Sequence, residues 1–165
     1  MHFKGVNVLI TGASSGIGKA TVEKFAKQKA NVALVARDVK AMKAIVKSLS
    51  GYGGKFLILK CDVRNYSQVK VVVKKVLKKF GTIDILVNNA GIGIYSEFEK
   101  QEMNEIREQI ETNLYGVIYF TKEILPGMLK QGRGEIVNVS SMAGKIPFPN
   151  YSIYCATKFA VAGFT

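Results

Sequence analysis

The stretch Val6–Gly18, which reads V-N-V-L-I-T-G-A-S-S-G-I-G, decides the fold of this chain. Its first part, Val6–Ile10, is a short apolar run of the kind that forms a buried parallel strand. A loop with glycines at positions 12, 16 and 18 follows, and apolar residues then recur at helical spacing. Strand, glycine loop and helix in this order form the phosphate-binding corner of a dinucleotide fold, because a pyrophosphate can approach the unpaired N–H groups of the helix. A tight turn without a ligand is the alternative interpretation.

The composition limits what kind of protein this is. The 165 residues suffice for one hydrophobic core, and 48% hydrophobic with 22% charged residues is typical of a soluble globular protein. No apolar run approaches the roughly 20 residues of a membrane span. The chain begins with Met1–Lys4 and enters the first strand directly, which indicates no signal peptide and a cytoplasmic location. We therefore expect one dinucleotide-binding domain over residues 1–165.

The formal net charge of +12 raises the question of an anionic partner. Nucleic acid is one candidate, since basic faces bind phosphate backbones. However, the lysines are spread over predicted helix surfaces, and no RNA-binding signature or basic patch with interleaved aromatic residues accompanies them. We predict no nucleic-acid partner and interpret the charge as a solvated surface that attracts phosphorylated cofactors or acidic carriers.

The reactive residue types exclude some chemistries. Cys61 and Cys155 lie far apart in the sequence and without metal-ligand spacing, so reduced thiols and no metal site are expected. His2 is the only histidine and stands at the terminus. A mechanism with a histidine base, such as that of a Ser-His-Asp hydrolase, is therefore excluded.

Strands alternate with helices along the whole chain. Further strands are predicted at 32–36, 56–59, 83–87 and 135–140. Helices are predicted around 41–49, after a cap at Ser67, over roughly 102–129, and from about Ser152 onward. This alternation predicts a Rossmann-type, doubly wound parallel sheet in a three-layer α/β/α architecture, with right-handed crossovers.

The end of the second strand bears on the choice of cofactor. A carboxylate at this point binds the ribose 2′-hydroxyl of NAD and repels the 2′-phosphate of NADP. Here the position is Ala36, followed by Arg37, whose guanidinium can pair with a 2′-phosphate. This pattern favours NADP(H) over NAD(H). The alternative is that Arg37 is an ordinary surface residue and that Asp38 caps the next helix.

A second group of polar residues lies near the end of the chain. Tyr154 and Lys158 are four residues apart and share one face of a helix. A tyrosine phenol ordinarily titrates near pH 10, and an ammonium about 4 Å away offers about 4 kcal/mol of Coulomb energy at an effective dielectric of 20. A lysine one turn away can therefore make a tyrosine a general acid or base. Such pairs are also common by chance, and a packed aromatic beside a solvated lysine is the alternative.

Taken together, these motifs resemble the short-chain dehydrogenase/reductase family in its single-domain branch. The motifs run in chain order as Thr11–Gly18, Asp62-Val63, Asn88–Gly91, Asn113, Ser141, and Tyr154 with Lys158. The interval of 13 residues between Ser141 and Tyr154 matches the family spacing and selects Ser141 over Ser140.

The resemblance implies hydride transfer between nicotinamide C4 and a carbonyl or alcohol carbon. Tyr154 would exchange the proton with the substrate oxygen, and Ser141 would orient that oxygen by a hydrogen bond. Lys158 would favour the ionised phenol and hold the nicotinamide ribose. Asn113 would hold a water that links Lys158 to solvent; a helix kink or a buried, satisfied amide is its alternative.

The resemblance also implies which residues bind the cofactor. Asp62 would contact the adenine, 89–91 would run beside the cofactor, and Asn88 would tie neighbouring strands. The full predicted set is Gly12, Ser14, Ser15, Gly16, Ile17, Gly18, Arg37, Asp62, Val63, Asn89, Ala90, Gly91, Tyr154 and Lys158. The sequence departs from the pattern of many NADP-using family members at Ser15, where those members carry a second basic residue.

Family members continue beyond the last helix with two more strands and a substrate-binding loop, whereas this sequence stops at Thr165. We therefore expect a C-terminally incomplete domain from a longer protein, which would form a homodimer or homotetramer. Its expected substrate is a small, apolar ketone or alcohol. Residues 92–96 and 145–151 are expected to line part of its site, with an apolar wall from Ile94, Tyr95 and 146–148. A catalytically silent dinucleotide-binding fragment that acts as a partner or sensor is the alternative function.

Overall fold

A parallel sheet forms the centre of the molecule. The computed structural model describes residues 3–165, so the terminal His2 lies outside the described residues. Within that range there are five strands: β1 (Asn7–Thr11), β2 (Asn31–Ala36), β3 (Phe56–Lys60), β4 (Ile85–Asn88) and β5 (Glu135–Asn138). They pair in the order β3-β2-β1-β4-β5, and every pair is parallel.

Helices cover both faces of this sheet. They are α1 (Gly16–Lys27), α2 (Val39–Ser48), α3 (Tyr66–Phe80), α4 (Met103–Ile110), α5 (Gly116–Gln131) and α6 (Ser152–Phe164). A π-helical segment, Glu111–Tyr115, joins α4 to α5. The predicted fold class, a doubly wound α/β sheet, is confirmed. None of the helices in residues 3–165 combines the length and the hydrophobicity needed to cross a membrane.

Two hydrophobic cores hold the helices to the sheet. Successive strand residues point to opposite faces, so Val8 and Ile10 pack with α1 and α2 while Leu9 packs with α3 and α5. Among the largest fully buried side chains on the helices are Met42 in the core on one face of the sheet and Phe120 in the core on the other. Burial on both faces explains why the strands read as continuous apolar runs.

The sheet topology fixes where a ligand can bind. The chain order reverses between β1 and β4, which are hydrogen-bonded neighbours, with Val8 opposite Ile85. The loops that follow these two strands diverge to opposite faces and leave a crevice at the carboxyl edge of the sheet. Open α/β sheets bind their ligands at this point.

Three local predictions needed correction. The strand bounds differ from those predicted by one or two residues, which is the usual uncertainty of strand ends. Asn65, rather than Ser67, caps α3, because its side chain accepts a hydrogen bond from Gln68 N at 3.0 Å. The helix predicted over roughly 102–129 is interrupted by the π-helical segment.

Candidate active site

The glycine loop between β1 and α1 depends on residues without side chains. Gly12 and Gly16 have φ angles of 64° and 50°, in the left-handed region that favours glycine. A side chain on Gly18 would overlap the carbonyl oxygen of Gly12. The loop therefore requires glycine at these three positions for backbone conformation and close packing.

The N-terminus of α1 opens into this loop. Ser15 precedes the helix in an extended conformation, and its side chain forms no capping hydrogen bond. A Cβ on Gly16 would meet no atom within 4 Å, so the space in front of the helix end is open. Unpaired N–H groups at an open helix N-terminus suit an anionic group such as a pyrophosphate. The residues present therefore fit a dinucleotide.

The loop after β4 is tied to the glycine loop. Thr11 Oγ1 accepts hydrogen bonds from the backbone N–H groups of Asn89 and Ala90, both at 3.0 Å. The side-chain amide of Asn89 donates to the carbonyl oxygens of Thr11 at 3.0 Å and Gly12 at 3.3 Å. Asn88 donates to Asn138 Oδ1 at 2.9 Å, so it ties β4 to β5 as predicted. These bonds fix one wall of the crevice.

A cleft of about 680 Å³ runs along the carboxyl edge of the sheet. Its lining contains every predicted cofactor-binding residue except Gly18, which packs behind the loop. The complete lining is Gly12, Ser14, Ser15, Gly16, Ile17, Ala36, Arg37, Asp38, Cys61, Asp62, Val63, Asn89, Ala90, Gly91, Ile92, Gly93, Thr112, Val139, Ser140, Tyr151, Tyr154 and Lys158. The predicted nucleotide residues thus share one continuous cleft with Tyr154 and Lys158, whereas the other two predicted catalytic residues, Asn113 and Ser141, are not among its lining residues.

A chain of ion pairs occupies the end of the cleft near β2 and β3. Arg37 Nη1 lies 3.6 Å from Glu108 Oε1, which also lies 3.1 Å from Arg64 Nη1. Arg64 in turn pairs with Asp62, at 2.6 Å from Nη2 to Oδ2, and these hydrogen bonds hold the pKa of Asp62 below its ordinary value. Arg37, with 63% of its side chain exposed, is therefore already paired with a carboxylate. Glu108 and Arg64 were not predicted from the sequence, because no local pattern indicates contacts so distant in sequence.

Two other residues beside this end of the cleft have simple roles. Asp38 accepts a hydrogen bond from Ala41 N at 2.9 Å and caps α2, as the alternative interpretation held. Cys61 is a buried free thiol whose pKa is raised to about 11 by its burial and by the neighbouring carboxylate of Asp62. A thiol with so little thiolate at neutral pH is a poor nucleophile.

Tyr154 and Lys158 lie one turn apart on α6 at the other end of the cleft. Lys158 Nζ is 5.7 Å from the centroid of the Tyr154 ring and donates a hydrogen bond to the Val139 carbonyl at 2.9 Å. Only 5% of Lys158 is exposed, and this burial lowers its pKa. The lysine is thus held close to the tyrosine by buried contacts.

The two serines after β5 have different partners. Ser141 Oγ accepts a hydrogen bond from Ala143 N at 3.1 Å and so caps a short 3₁₀ turn at Met142–Gly144. Ser140 lines the cleft, and its hydroxyl donates to the Lys158 carbonyl at 3.1 Å. Because an oxygen that accepts one bond can still donate its own proton, Ser141 keeps a free donor.

Asn113 is fully buried in the π-helical segment. Its Oδ1 accepts from Ile92 N, and its Nδ2 donates to the Ile92 carbonyl, both at 2.8 Å. The same Nδ2 donates to Thr157 Oγ1 at 3.0 Å. Asn113 is therefore a satisfied buried amide in an irregular helical turn, which was the alternative interpretation. Its predicted water-holding role stays a prediction.

The segments predicted to line the substrate site, 92–96 and 145–151, contribute Ile92, Gly93 and Tyr151 to the cleft lining. Tyr151 lines the cleft and forms an aromatic row, with ring centroids 5.2 Å from Tyr95 and 5.7 Å from Tyr154. The residues predicted as an apolar wall, Ile94, Tyr95 and 146–148, are not in the cleft lining, and 66% of Tyr95 is exposed. Among residues 3–165, no group of three or more His, Cys, Asp or Glu side chains could hold a metal ion.

Comparison with known proteins identifies the class. The sequence matches the family described as short chain dehydrogenase over residues 6–165. It is 41% identical over 167 residues to the 3-oxoacyl-[acyl-carrier-protein] reductase FabG of Thermotoga maritima, covering 100% of this chain and 67% of that protein. The chain therefore belongs to the short-chain dehydrogenase/reductase family, as the motifs predicted.

Solved structures of short-chain dehydrogenases/reductases have the same fold as this chain. A metagenomic short-chain oxidoreductase in complex with NADP superposes with a TM-score of 0.95 at 32% identity, covering 99% of this chain and 75% of that one. A short-chain dehydrogenase/reductase from Burkholderia phymatum in complex with NAD gives 0.95 at 33% identity, covering 99% and 59%. The chain spans between about half and two thirds of the length of most curated relatives that it matches.

Proposed function

We propose that this chain provides the nucleotide-binding and catalytic part of an NADP(H)-dependent carbonyl reductase or alcohol dehydrogenase. The observation that supports this most strongly is that one cleft contains both the open N-terminus of α1 and the Tyr154–Lys158 pair. A dinucleotide extended along the cleft would have its pyrophosphate at the helix and its nicotinamide near the tyrosine.

Bound NADP(H) supplies or accepts a hydride at the nicotinamide ring. Tyr154 donates a proton to the carbonyl oxygen during reduction and removes it from the alcohol during oxidation. Ser141 donates a hydrogen bond to the same oxygen while its own oxygen stays bonded to Ala143 N. Each general acid or base of this kind contributes about 10²–10⁴-fold to a rate.

Lys158 supports Tyr154 by its charge and by its position. Its ammonium, 5.7 Å from the centroid of the Tyr154 ring, stabilises the negative charge that develops on the phenol oxygen as the proton leaves. The hydrogen bond to the Val139 carbonyl and the burial of the side chain fix that ammonium in the cleft. We expect the remaining donors of Lys158 to hold the nicotinamide ribose.

The preference for NADP(H) over NAD(H) is part of this proposal. Arg37 stands at the cleft beside Ala36, so the last residue of β2 carries no carboxylate, while Asp38 also lines the cleft and caps α2. However, Glu108 supplies a carboxylate from α4 that already pairs with Arg37. We therefore propose a modest preference, since the 2′-phosphate must share the arginine with Glu108.

For the substrate we propose an apolar ketone or the corresponding alcohol. Tyr151 and Tyr154, whose ring centroids lie 5.7 Å apart, both line this end of the cleft and give it an aromatic side. We also propose that the full-length protein forms a homodimer or homotetramer through α5 and α6. Side chains on these helices leave large apolar groups exposed, among them Leu129, Phe159 and Phe164.

NADPH oxidation by the full-length protein tests the proposal. The assay uses a panel of aliphatic, aromatic and sugar ketones together with separate measurement of NADPH binding. We expect binding and turnover of at least one apolar ketone. Tight NADPH binding without turnover of any carbonyl would contradict the enzyme and favour a silent binding protein, and a preference for sugar ketones would contradict the apolar substrate.

A further inference from the structure

One buried polar residue next to the active site has no role in the mechanism above. Gln109 lies on α4 and is 0% exposed. Its Oε1 accepts a hydrogen bond from Ile94 N at 3.1 Å, whereas its Nε2 has no partner among the described residues. A buried amide with an unpaired donor destabilises a fold relative to an apolar side chain of the same shape. Its presence therefore needs an explanation other than stability.

A second side-chain amide binds the same backbone segment as Gln109. Asn113 lies four residues later on the same face of the helix and binds both the N–H and the C=O of Ile92. Two side-chain amides thus hold the segment Ile92–Ile94 at both of its ends. Gly93 lies between the two held residues.

That segment touches the proposed catalytic tyrosine. A Cβ built on Gly93 would lie 3.1 Å from Cδ2 and 3.3 Å from Cε2 of Tyr154, so the Gly93 backbone lies against the ring. On the other side, Thr157 Oγ1 donates to the Tyr154 carbonyl at 2.7 Å and accepts from Asn113. The position of the ring therefore depends on where the 92–94 backbone is held.

We propose that Gln109 is a positioning residue, which holds Ile94 so that the Gly93 backbone supports the ring of Tyr154. This inference rests on the proposed function, because it assigns Gln109 a role through the residue that moves the proton. Misplacement of a reacting group by about 1 Å can cost on the order of 100-fold in rate. Removing one of two supports is expected to cost about tenfold.

The test compares two matched variants of the full-length protein. Gln109→Met keeps the length of the side chain and removes the acceptor for Ile94. Gln101→Met makes the same change at a buried glutamine just before α4. The side-chain amide of Gln101 has no hydrogen-bond partner among residues 3–165. Thermal unfolding of both variants reports any general loss of structure.

We expect Gln109→Met to lower kcat about tenfold with KM and the Kd of NADPH within about twofold of wild type. Amide hydrogen exchange at Ile94 should accelerate at least about tenfold, and the NMR signal of the labelled Tyr154 ring should shift or broaden. Gln101→Met should change none of these quantities. A purely structural role would instead lower the melting temperature and leave the kcat of the folded enzyme unchanged.

The structural readouts separate this inference from the proposed function. If the wild-type protein turns over no carbonyl, the proposed function fails, and the Ile94 and Tyr154 signals alone decide whether Gln109 positions the ring. Unchanged exchange at Ile94 or an unchanged Tyr154 signal in Gln109→Met would overturn the inference whatever the activity. In an active protein, an unchanged kcat, or the same loss in Gln101→Met, would overturn it as well.

Discussion

One end of the cleft is formed mainly by backbone groups, and the other depends on buried side chains. At the end formed by β1 and α1, the surface consists of backbone: left-handed glycines and an open helix N-terminus. At the end formed by the loop after β4, the π-helical segment after α4, and α6, it depends on buried side chains. Asn113, Gln109 and Lys158 are each bonded there to backbone carbonyl or N–H groups. The first end suits an invariant group such as a pyrophosphate, and the second suits a reacting group that must be held precisely in place.

A third kind of contact marks the surface beside β2 and β3. The ion pairs that link Arg37, Glu108, Arg64 and Asp62 differ in exposure: 63% of the Arg37 side chain is exposed, but only 29% of that of Arg64 and 27% of that of Asp62. Exposed ion pairs are weak and sensitive to salt. We therefore expect the effects of substitutions on stability and cofactor binding to decrease from the glycine loop, through the buried Lys158, to the exposed Arg37.

The largest effect on stability and on cofactor binding is expected at the glycine loop. Gly18→Ala should destabilise the protein by about 1–3 kcal/mol, because the new methyl group overlaps the Gly12 carbonyl. It should also weaken NADPH binding at least about tenfold, equivalent to about 1.4 kcal/mol. Urea unfolding and NADPH titration measure the two effects. Gly53→Ala is the control, because its methyl group would meet no atom within 4 Å; equal effects of the two variants would contradict this account.

The buried lysine should make stability depend on pH. Burial lowers the pKa of Lys158 below its ordinary value of 10.5, so the native state binds fewer protons than the unfolded state between these two values. The stability contributed by Lys158 is therefore fully present above pH 10.5 and is lost as pH falls through the lowered pKa. The slope in this window is at most about 1.4 kcal/mol per pH unit, the value for one proton.

Urea unfolding of wild type and Lys158→Met at several pH values measures this contribution. The free energy of unfolding of wild type, relative to the variant, should rise as pH increases towards 10.5. A difference that stays constant over the alkaline range would show that Lys158 titrates alike in the folded and unfolded states.

A smaller effect is expected at the exposed arginine. Arg37→Ala should narrow the ratio of the NADH and NADPH dissociation constants by about two- to tenfold, since a paired and exposed arginine contributes only about 0.5–1.5 kcal/mol. Added salt should reduce the effect. Lys40→Ala, at an exposed lysine outside the cleft lining, serves as the control. Equal dissociation constants for the two cofactors in wild type would refute the preference.

The smallest effect is expected at Cys61. Because its pKa is raised to about 11, only about one molecule in a thousand carries the thiolate at pH 8. Iodoacetamide at pH 8 should therefore leave Cys61 unmodified on the timescale in which free cysteine reacts fully. Mass spectrometry of the digested protein provides the measurement, and rapid alkylation of Cys61 in the folded protein would contradict its burial.

The two ends of the cleft also differ in how far the sequence could predict them. The glycine loop was predictable because left-handed and close-packed backbone positions require glycine at fixed spacing. Tyr154 and Lys158 were predictable because residues four apart share a helix face. The contacts of Gln109 with Ile94 and of Glu108 with Arg37 were not predictable, since they depend on how α4 packs against loops far away in sequence.

The proposed separation of nucleotide binding from proton transfer is tested most directly by Tyr154→Phe in the full-length protein. The variant removes one hydroxyl and leaves the glycine loop, Lys158 and the ring contact with Gly93 in place. We predict that kcat falls at least about 100-fold, while the Kd of NADPH stays within about threefold of wild type. A variant that keeps most of its turnover, or that loses NADPH binding together with turnover, would contradict the account.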